Sequence, residues 1–203
     1  MPQPPILPLI DWRALFAAGL AWRPCLDIAE QPEHRTELLG SYGGFHPLAG
    51  SVERLRALGK PVRVVAIAES WCGDVRRHIP VLQKLADAGG PVEVRYITRR
   101  QDLGAFARLL TNGGEAIPKA VFLSADFVET GNWGPMPENG RRVIAQGRAA
   151  NDIPGSRTLV AAQYAADPQR RGAEAEILDR IAIAATTSIA TATGPGAAAS
   201  AGP

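Results

Sequence analysis

The sequence predicts an α/β fold, a mixed β-sheet flanked by helices and preceded by a helical N-terminal extension. Three observations carry this. Residues 62–68 (VRVVAIA) form a β-rich, nearly continuous apolar run, the pattern of a strand covered on both faces. Residues 92–97 (VEVRYI) and 119–123 (KAVFL) are two more short β-rich runs, and the stretches between the three carry apolar residues at helical spacing. Ahead of residue 60 the spacing is mostly helical.

Length and composition bound the rest. A chain of 203 residues holds one domain of ordinary size plus an extension, and is short for two. With 46% hydrophobic and 21% charged residues it has a normal globular balance. Its 22 basic and 20 acidic residues leave a charge of +2, which gives no electrostatic footprint for nucleic acid. Two cysteines, Cys25 and Cys72, are too few for a disulfide-stapled scaffold or a Cys-rich zinc site. His34, His46 and His78 share no metal-ligand spacing with either cysteine, so no metal and no resident cofactor is expected. Residues 1–10 are Pro-rich and lack a basic segment, and Asp11 interrupts them before a signal-peptide core forms. A cytoplasmic, reducing location is the expectation, with no membrane span.

The elements follow in order. Residues 11–22 read as an amphipathic helix, with Trp12, Leu15, Phe16 and Leu20 at helical spacing and Pro24 ending it. Residues 26–60 read as helical segments broken by a loop at Gly40–Gly44, with Ser51 capping a helix that runs to Leu58. The Gly40–Gly44 loop lacks the Lys-Ser/Thr of a phosphate loop and reads as a turn. After the strand at 62–68, residues 74–88 form a helix with Ile79, Leu82 and Leu85 on one face and Pro80 bending it. A strand at 92–97 and a helix at 102–110 come next, then a strand at 119–123 that pairs with 127–130 as a hairpin. Arg141, Arg142 and Arg148 read as a solvated basic face. The expected organisation is an extension over 1–59 packed on the core, a domain over 60–185, and a flexible Ala/Thr/Gly/Pro tail over 186–203.

The chemistry sits in Glu69-Ser70-Trp71-Cys72-Gly73-Asp74, between the first strand and its helix. A thiol on the first turn of a helix faces free backbone N–H groups and the positive end of the helix dipole, which favour thiolate. Arg76, Arg77 and His78 add positive charge and Asp74 opposes it. The expectation is a thiol pKa lowered into the range of roughly 3.5–7.5.

These residues resemble the thioredoxin superfamily, and within it bacterial thioredoxin-like proteins that carry a Trp-Cys-Gly-Asp-Cys motif. Residues 113–123 (GGEAIPKAVFL) resemble the family segment in which a cis-proline faces the active thiol. Residues 132–137 (NWGPMP) resemble its Trp-Gly-Pro-x-Pro element, and 164–178 its closing helix, with Glu176 before Ile177 and Leu178. The likeness covers about 60–180 and implies a thioredoxin-like sheet. It further implies that Cys72 attacks disulfides, that Trp71, Gly73, Asp74 and Pro118 shape the site, and that Ile117 and Pro118 offer an edge to an extended peptide.

The departure from the pattern is Val75, which stands where dithiol members have their second cysteine. In a Cys-x-x-Cys pair the second thiol releases a trapped substrate by attacking the mixed disulfide. Without it, Cys72 exchanges as a monothiol, with protein thiols or disulfides, or glutathione as co-substrate, supplying the second sulfur. The alternative is a redox-inactive thioredoxin-fold module that binds a protein partner around Pro118. Cys25, 47 residues upstream, reads as an inert buried residue ahead of a remote resolver. Trp71 reads either as the flank of a peptide groove or as packing beside the thiol, and Trp133 as core. A tuning role for Glu69 has little in the sequence to support it, and so has peroxide reduction. No oligomeric state is legible.

Overall fold

A computed structural model describes residues 9–187 of the chain. The 1–8 segment and most of the expected tail (188–203) lie outside the described residues. The elements are α1 (Trp12–Ala18), α2 (Trp22–Asp27), α3 (Pro32–Gly44), α4 (Ala49–Arg56), β1 (Val62–Ile67), α5 (Gly73–Ala86) and β2 (Val92–Ile97), then α6 (Leu103–Ala107), β3 (Lys119–Leu123), β4 (Glu129–Trp133), α7 (Glu138–Ala149), α8 (Ile153–Ala166) and α9 (Arg171–Thr187).

The continuous apolar runs become the centre of one four-stranded sheet of order β2-β1-β3-β4. β1 runs parallel to β2, joined by α5, and antiparallel to β3, while β3 and β4 form the expected hairpin. Every residue of β3 is buried, and so is every residue of β1 except Arg63. Both faces of these strands are therefore covered, because successive side chains point to opposite sides. The outer strands are more polar. Along β2, Leu20 exchanges two backbone hydrogen bonds with Tyr96, covering part of that edge. Phe16 of α1, Phe45 just after α3 and Leu55 of α4 share one hydrophobic core with Val64, Ile79, Phe122 and Ile181.

Several boundaries differ from the sequence reading, each for a physical reason. The first helix stops at Ala18, because Gly19 turns out in extended conformation and lies so close to β2 that an added Cβ would sit 2.7 Å from that of Arg95. Pro24 does not end a helix; it sits in the first turn of α2, where a backbone N–H has no intrahelical partner to lose. The expected Gly40–Gly44 loop is the last part of α3. Each mid-helix glycine costs about 1 kcal/mol relative to alanine, but this segment is held from outside: the Tyr42 hydroxyl donates to Asp87 at 2.7 Å, Arg170 donates to Ser41, and Lys84 lies over the Tyr42 ring.

Ser51 lies inside α4 and is buried; the helix starts two residues earlier, and the Leu48 N–H is taken by Glu174 at 2.7 Å. The hairpin strand begins at Glu129, because Phe127 occupies the turn with φ of 64°. The single closing helix expected over 164–178 is two helices. Asp167 ends α8, Pro168 follows, and the Asp167 carboxylate accepts from the N–H groups of Arg171 and Gly172 to start α9. Residues 138–163, where no element is legible in the sequence, form α7 and most of α8, packed against each other.

Candidate functional site

Cys72 is the residue immediately before α5, with extended backbone (φ −81°, ψ 124°), and Gly73 opens the helix. An added Cβ at Gly73 would meet nothing nearer than the Arg76 guanidinium at 4.0 Å, so the helix start is open beside the sulfur. Opposite it, the Ile117–Pro118 peptide is cis, and the Cys72 thiol donates to the carbonyl oxygen of Ile117 at 3.3 Å. The structure thus brings Cys72, Gly73, Ile117 and Pro118 together. Trp71 is 43% exposed beside the thiol and is not core. Its indole N–H donates to Glu69 at 2.8 Å, and the Arg99 guanidinium lies 5.1 Å from its ring.

Glu69 organises this side of the site. Its carboxylate also accepts from the backbone N–H and the side chain of Arg99, both at 3.0 Å. Burial works to raise its pKa, but the bonds from Arg99 and Trp71 outweigh it and hold the carboxyl below its usual value.

The thiol itself does not behave as the sequence suggests. Burial pushes the Cys72 pKa above its ordinary value, and the charge of Asp74 adds to that. The backbone N–H groups of Val75 and Asp74 and the charge of Arg76 pull the other way without prevailing. The expected cations are largely engaged elsewhere. Arg76 bonds Glu37 at 2.5 Å and the Ser70 carbonyl at 2.7 Å, and Arg77 reaches the carbonyls of Tyr164 and Asp167. His78 is 1% exposed and carries no charge near neutrality, its pKa lowered to about 3 by burial, with Arg77 and Arg170 adding to the shift.

His78 instead ends a chain of hydrogen bonds that the sequence did not disclose. The Tyr164 hydroxyl gives its one proton to Asp74 at 2.7 Å, so it accepts from His78 Nε2–H at 3.2 Å. Nδ1 is left buried without a partner among the described residues. Burial raises the pKa of Asp74, against the bond from Tyr164 and the charge of Arg77. Trp133 is core, as expected: its ring meets His78 edge-on, and its N–H donates to Glu176 at 2.8 Å. Glu176 also accepts from the Glu138 N–H, tying the Trp-Gly-Pro-x-Pro segment to the start of α7.

Two cavities adjoin the site. One of about 640 Å³ is lined by Asp74, Ala116 and Tyr164 near the thiol and by Arg141, Arg148 and Arg157 from α7 and α8. In the sequence Arg141 and Arg148 read as a solvated face; in the structure they line this cavity. The other, of about 60 Å³, is lined by both Cys25 and Val75. Cys25 therefore sits close to the position of the missing cysteine, although nothing in the sequence places it there. Both cysteines are free, and burial pushes the Cys25 thiol up to about 11. Among the described residues no group of three or more His, Cys, Asp or Glu side chains is placed to hold a metal ion, and no helix is long and apolar enough to cross a membrane.

The chain resembles a crystal structure of a protein of unknown function from Pseudomonas aeruginosa, with 17% identity and a TM-score of 0.67, over 85% of this chain and 98% of that one. It also resembles the crystal structure of an HIV epitope-scaffold, with 15% identity and a TM-score of 0.65, over the same shares of the two chains. These likenesses concern the fold. No curated protein matches. A family model described as thioredoxin matches residues 26–150, from within α2 to the end of α7. That match spans more than half of the chain and includes the strand and helix that carry Cys72, and this protein belongs to the thioredoxin family.

Proposed function

We propose that the protein carries out monothiol thiol–disulfide exchange through Cys72. The observation that carries this reading is the thiol held 3.3 Å from the Ile117 carbonyl, beside Pro118 at the head of a helix. In the first step the Cys72 thiol loses its proton to solvent. The thiolate attacks one sulfur of a partner disulfide; that S–S bond breaks, a new one forms to Cys72, and the departing thiolate takes up a proton. An external thiol then attacks the mixed disulfide and returns Cys72 to its reduced form. Val75 makes the external thiol necessary.

The raised pKa gives this exchange a particular character. Little thiolate is present near neutrality, so attack is slow, and a high-pKa thiol is a poor leaving group, so the mixed disulfide is long-lived. Such a thiol holds a partner and does not pass the disulfide on quickly. In a reducing cytoplasm the thiol pool supplies the second sulfur.

The same raised pKa favours a second reading, a redox-inactive module that binds a protein through Pro118 and the exposed Trp71. Trapping separates the two. Mixed disulfides that form on the wild type and disappear in Cys72→Ser support exchange. Partner binding that survives Cys72→Ser, with no mixed disulfide on the wild type, supports the module.

A further inference from the structure

The cavity of about 640 Å³ lies between the α7–α8 pair and the head of α5, and α8 falls beyond the part of the chain that the family model matches. Its size lies within the roughly 300–1,000 Å³ typical of small-molecule sites. Its lining is amphipathic, with Met136, Ile144 and Val160 among the apolar residues. Three of the charged groups are cations. Arg148 donates to the Asn112 carbonyl at 2.9 Å, and neither it nor Arg157 has an acidic partner among the described residues. Arg141 donates to the Met136 carbonyl and faces Glu176 at 3.6 Å. The one acid on the lining, Asp74, is bonded to the Tyr164 hydroxyl. Thr111 adds a buried hydroxyl with no partner among the described residues. The cavity is thus positive, partly apolar and open to an anion. It reaches Asp74 and Ala116, which stand two residues from Cys72 and one from Ile117.

We propose that this cavity binds an anionic low-molecular-weight thiol and its disulfide, and so brings to Cys72 the second sulfur that Val75 does not provide. The inference rests on the reading of Cys72 as an exchange thiol. The carboxylates of the ligand meet Arg148 and Arg157, and its sulfur points to the Cys72 side. In one direction the Cys72 thiolate attacks the bound disulfide, forming a mixed disulfide and releasing one ligand thiolate. In the other, the bound thiolate attacks the partner sulfur of a Cys72 mixed disulfide; that bond breaks, a ligand–partner disulfide forms, and Cys72 leaves as thiolate. Two electrons move within the sulfur pairs, and no other oxidant is needed.

Glutathione is the probe, since it carries two carboxylates and a thiol. The full chain is incubated with glutathione disulfide, and the rate of adduct formation at Cys72 is followed by intact mass. Arg148→Glu and Arg157→Glu should each slow it by roughly tenfold, the effect of reversing a charge at a contact. Arg142→Glu makes the same charge change on α7 outside the cavity lining, and should stay within about twofold. Equal slowing in all three variants, or none in the first two, would overturn the proposal. A second measurement does not depend on exchange: binding of S-methylglutathione, which has the charges and no free thiol, to the Cys72→Ser chain. Binding weakened by the Arg148 and Arg157 variants supports the cavity even if Cys72 proves unreactive, in which case the exchange reading falls alone. Absence of binding, or binding indifferent to both arginines, removes the cavity as the source of the second sulfur.

Discussion

The Cys72 sulfur lies 3.3 Å from the carbonyl oxygen of Ile117, so the thiol proton is directed at the backbone next to Pro118. This bond exists only in the neutral form of the thiol. It acts in the same direction as burial and Asp74, which raise the pKa, and against the pull of the helix start.

The first prediction concerns pH. The rate of Cys72 alkylation by iodoacetamide should rise through neutrality and level off only above the ordinary thiol value of about 8.5. Asp74→Asn removes the charge that adds to burial in raising the pKa and should move the inflection down. A wild-type inflection below about 7.5 would show that the helix start outweighs burial after all.

Val75→Cys should restore a local pair. Position 75 is three residues after the thiol and on the same face of the first turn of α5. Val75 is buried, and its replacement by the slightly smaller cysteine should cost under about 1.5 kcal/mol. Under oxidising conditions the variant should lose two hydrogens by mass, and a mixed disulfide on Cys72 should decay without added thiol. A variant whose mixed disulfide lasts as long as that of the wild type would place the new sulfur out of reach.

His78 predicts a stability profile. Its folded pKa of about 3 lies below the unfolded value of about 6.5. The neutral form is therefore the one that folding favours: its contribution is complete above pH 6.5 and is lost as pH falls from there toward about 3. The loss should amount to roughly 1 kcal/mol per pH unit in that window. His78 packs edge-on against the Trp133 and Tyr164 rings, and the charges of Arg77, Arg170 and Asp167 enter the same shift. Urea midpoints measured across the window should flatten in His78→Phe, which keeps the ring packing and removes the titration. An unchanged slope would assign the acid sensitivity to the carboxylates.

Gly134→Ala should damage the site from behind. Gly134 has φ of 116° and lies against Pro118, so an added Cβ would run into the Pro118 carbonyl oxygen. Positive φ and the forced shift together should cost roughly 2–5 kcal/mol. Thermal unfolding measures the cost, and the alkylation rate of Cys72 should change with it.

What was legible in the sequence follows from the range of the interactions involved. The strands at 62–67, 92–97 and 119–123 and the helix at 73–86 are written in local hydrophobic patterns, and the structure holds them close to the expected bounds. Cys72 and Pro118 were legible because each sits next to such an element. The helical course of Gly40–Gly44 was not, because Tyr42, Ser41 and their distant partners stabilise it. The Asp74–Tyr164–His78 chain was not either: Tyr164 stands 90 residues from Asp74 and 86 from His78. The raised pKa of the thiol is not legible in the sequence for a related reason. Helix position is visible in a sequence, whereas the degree of burial and the outside partners of Arg76 and Arg77 are set by the tertiary fold.

The most direct test of Cys72 as an exchange thiol is the intact mass of the native chain after exposure to glutathione disulfide, with the modified residue mapped by peptide digestion. The expected result is a single adduct on Cys72, slow at neutral pH and faster above it, absent from Cys72→Ser, and released by added thiol, with Cys25 unmodified because burial holds its pKa near 11. A native chain that stays unmodified at Cys72 across that pH range, while the denatured chain takes up glutathione readily, would contradict exchange and leave the fold serving a binding role.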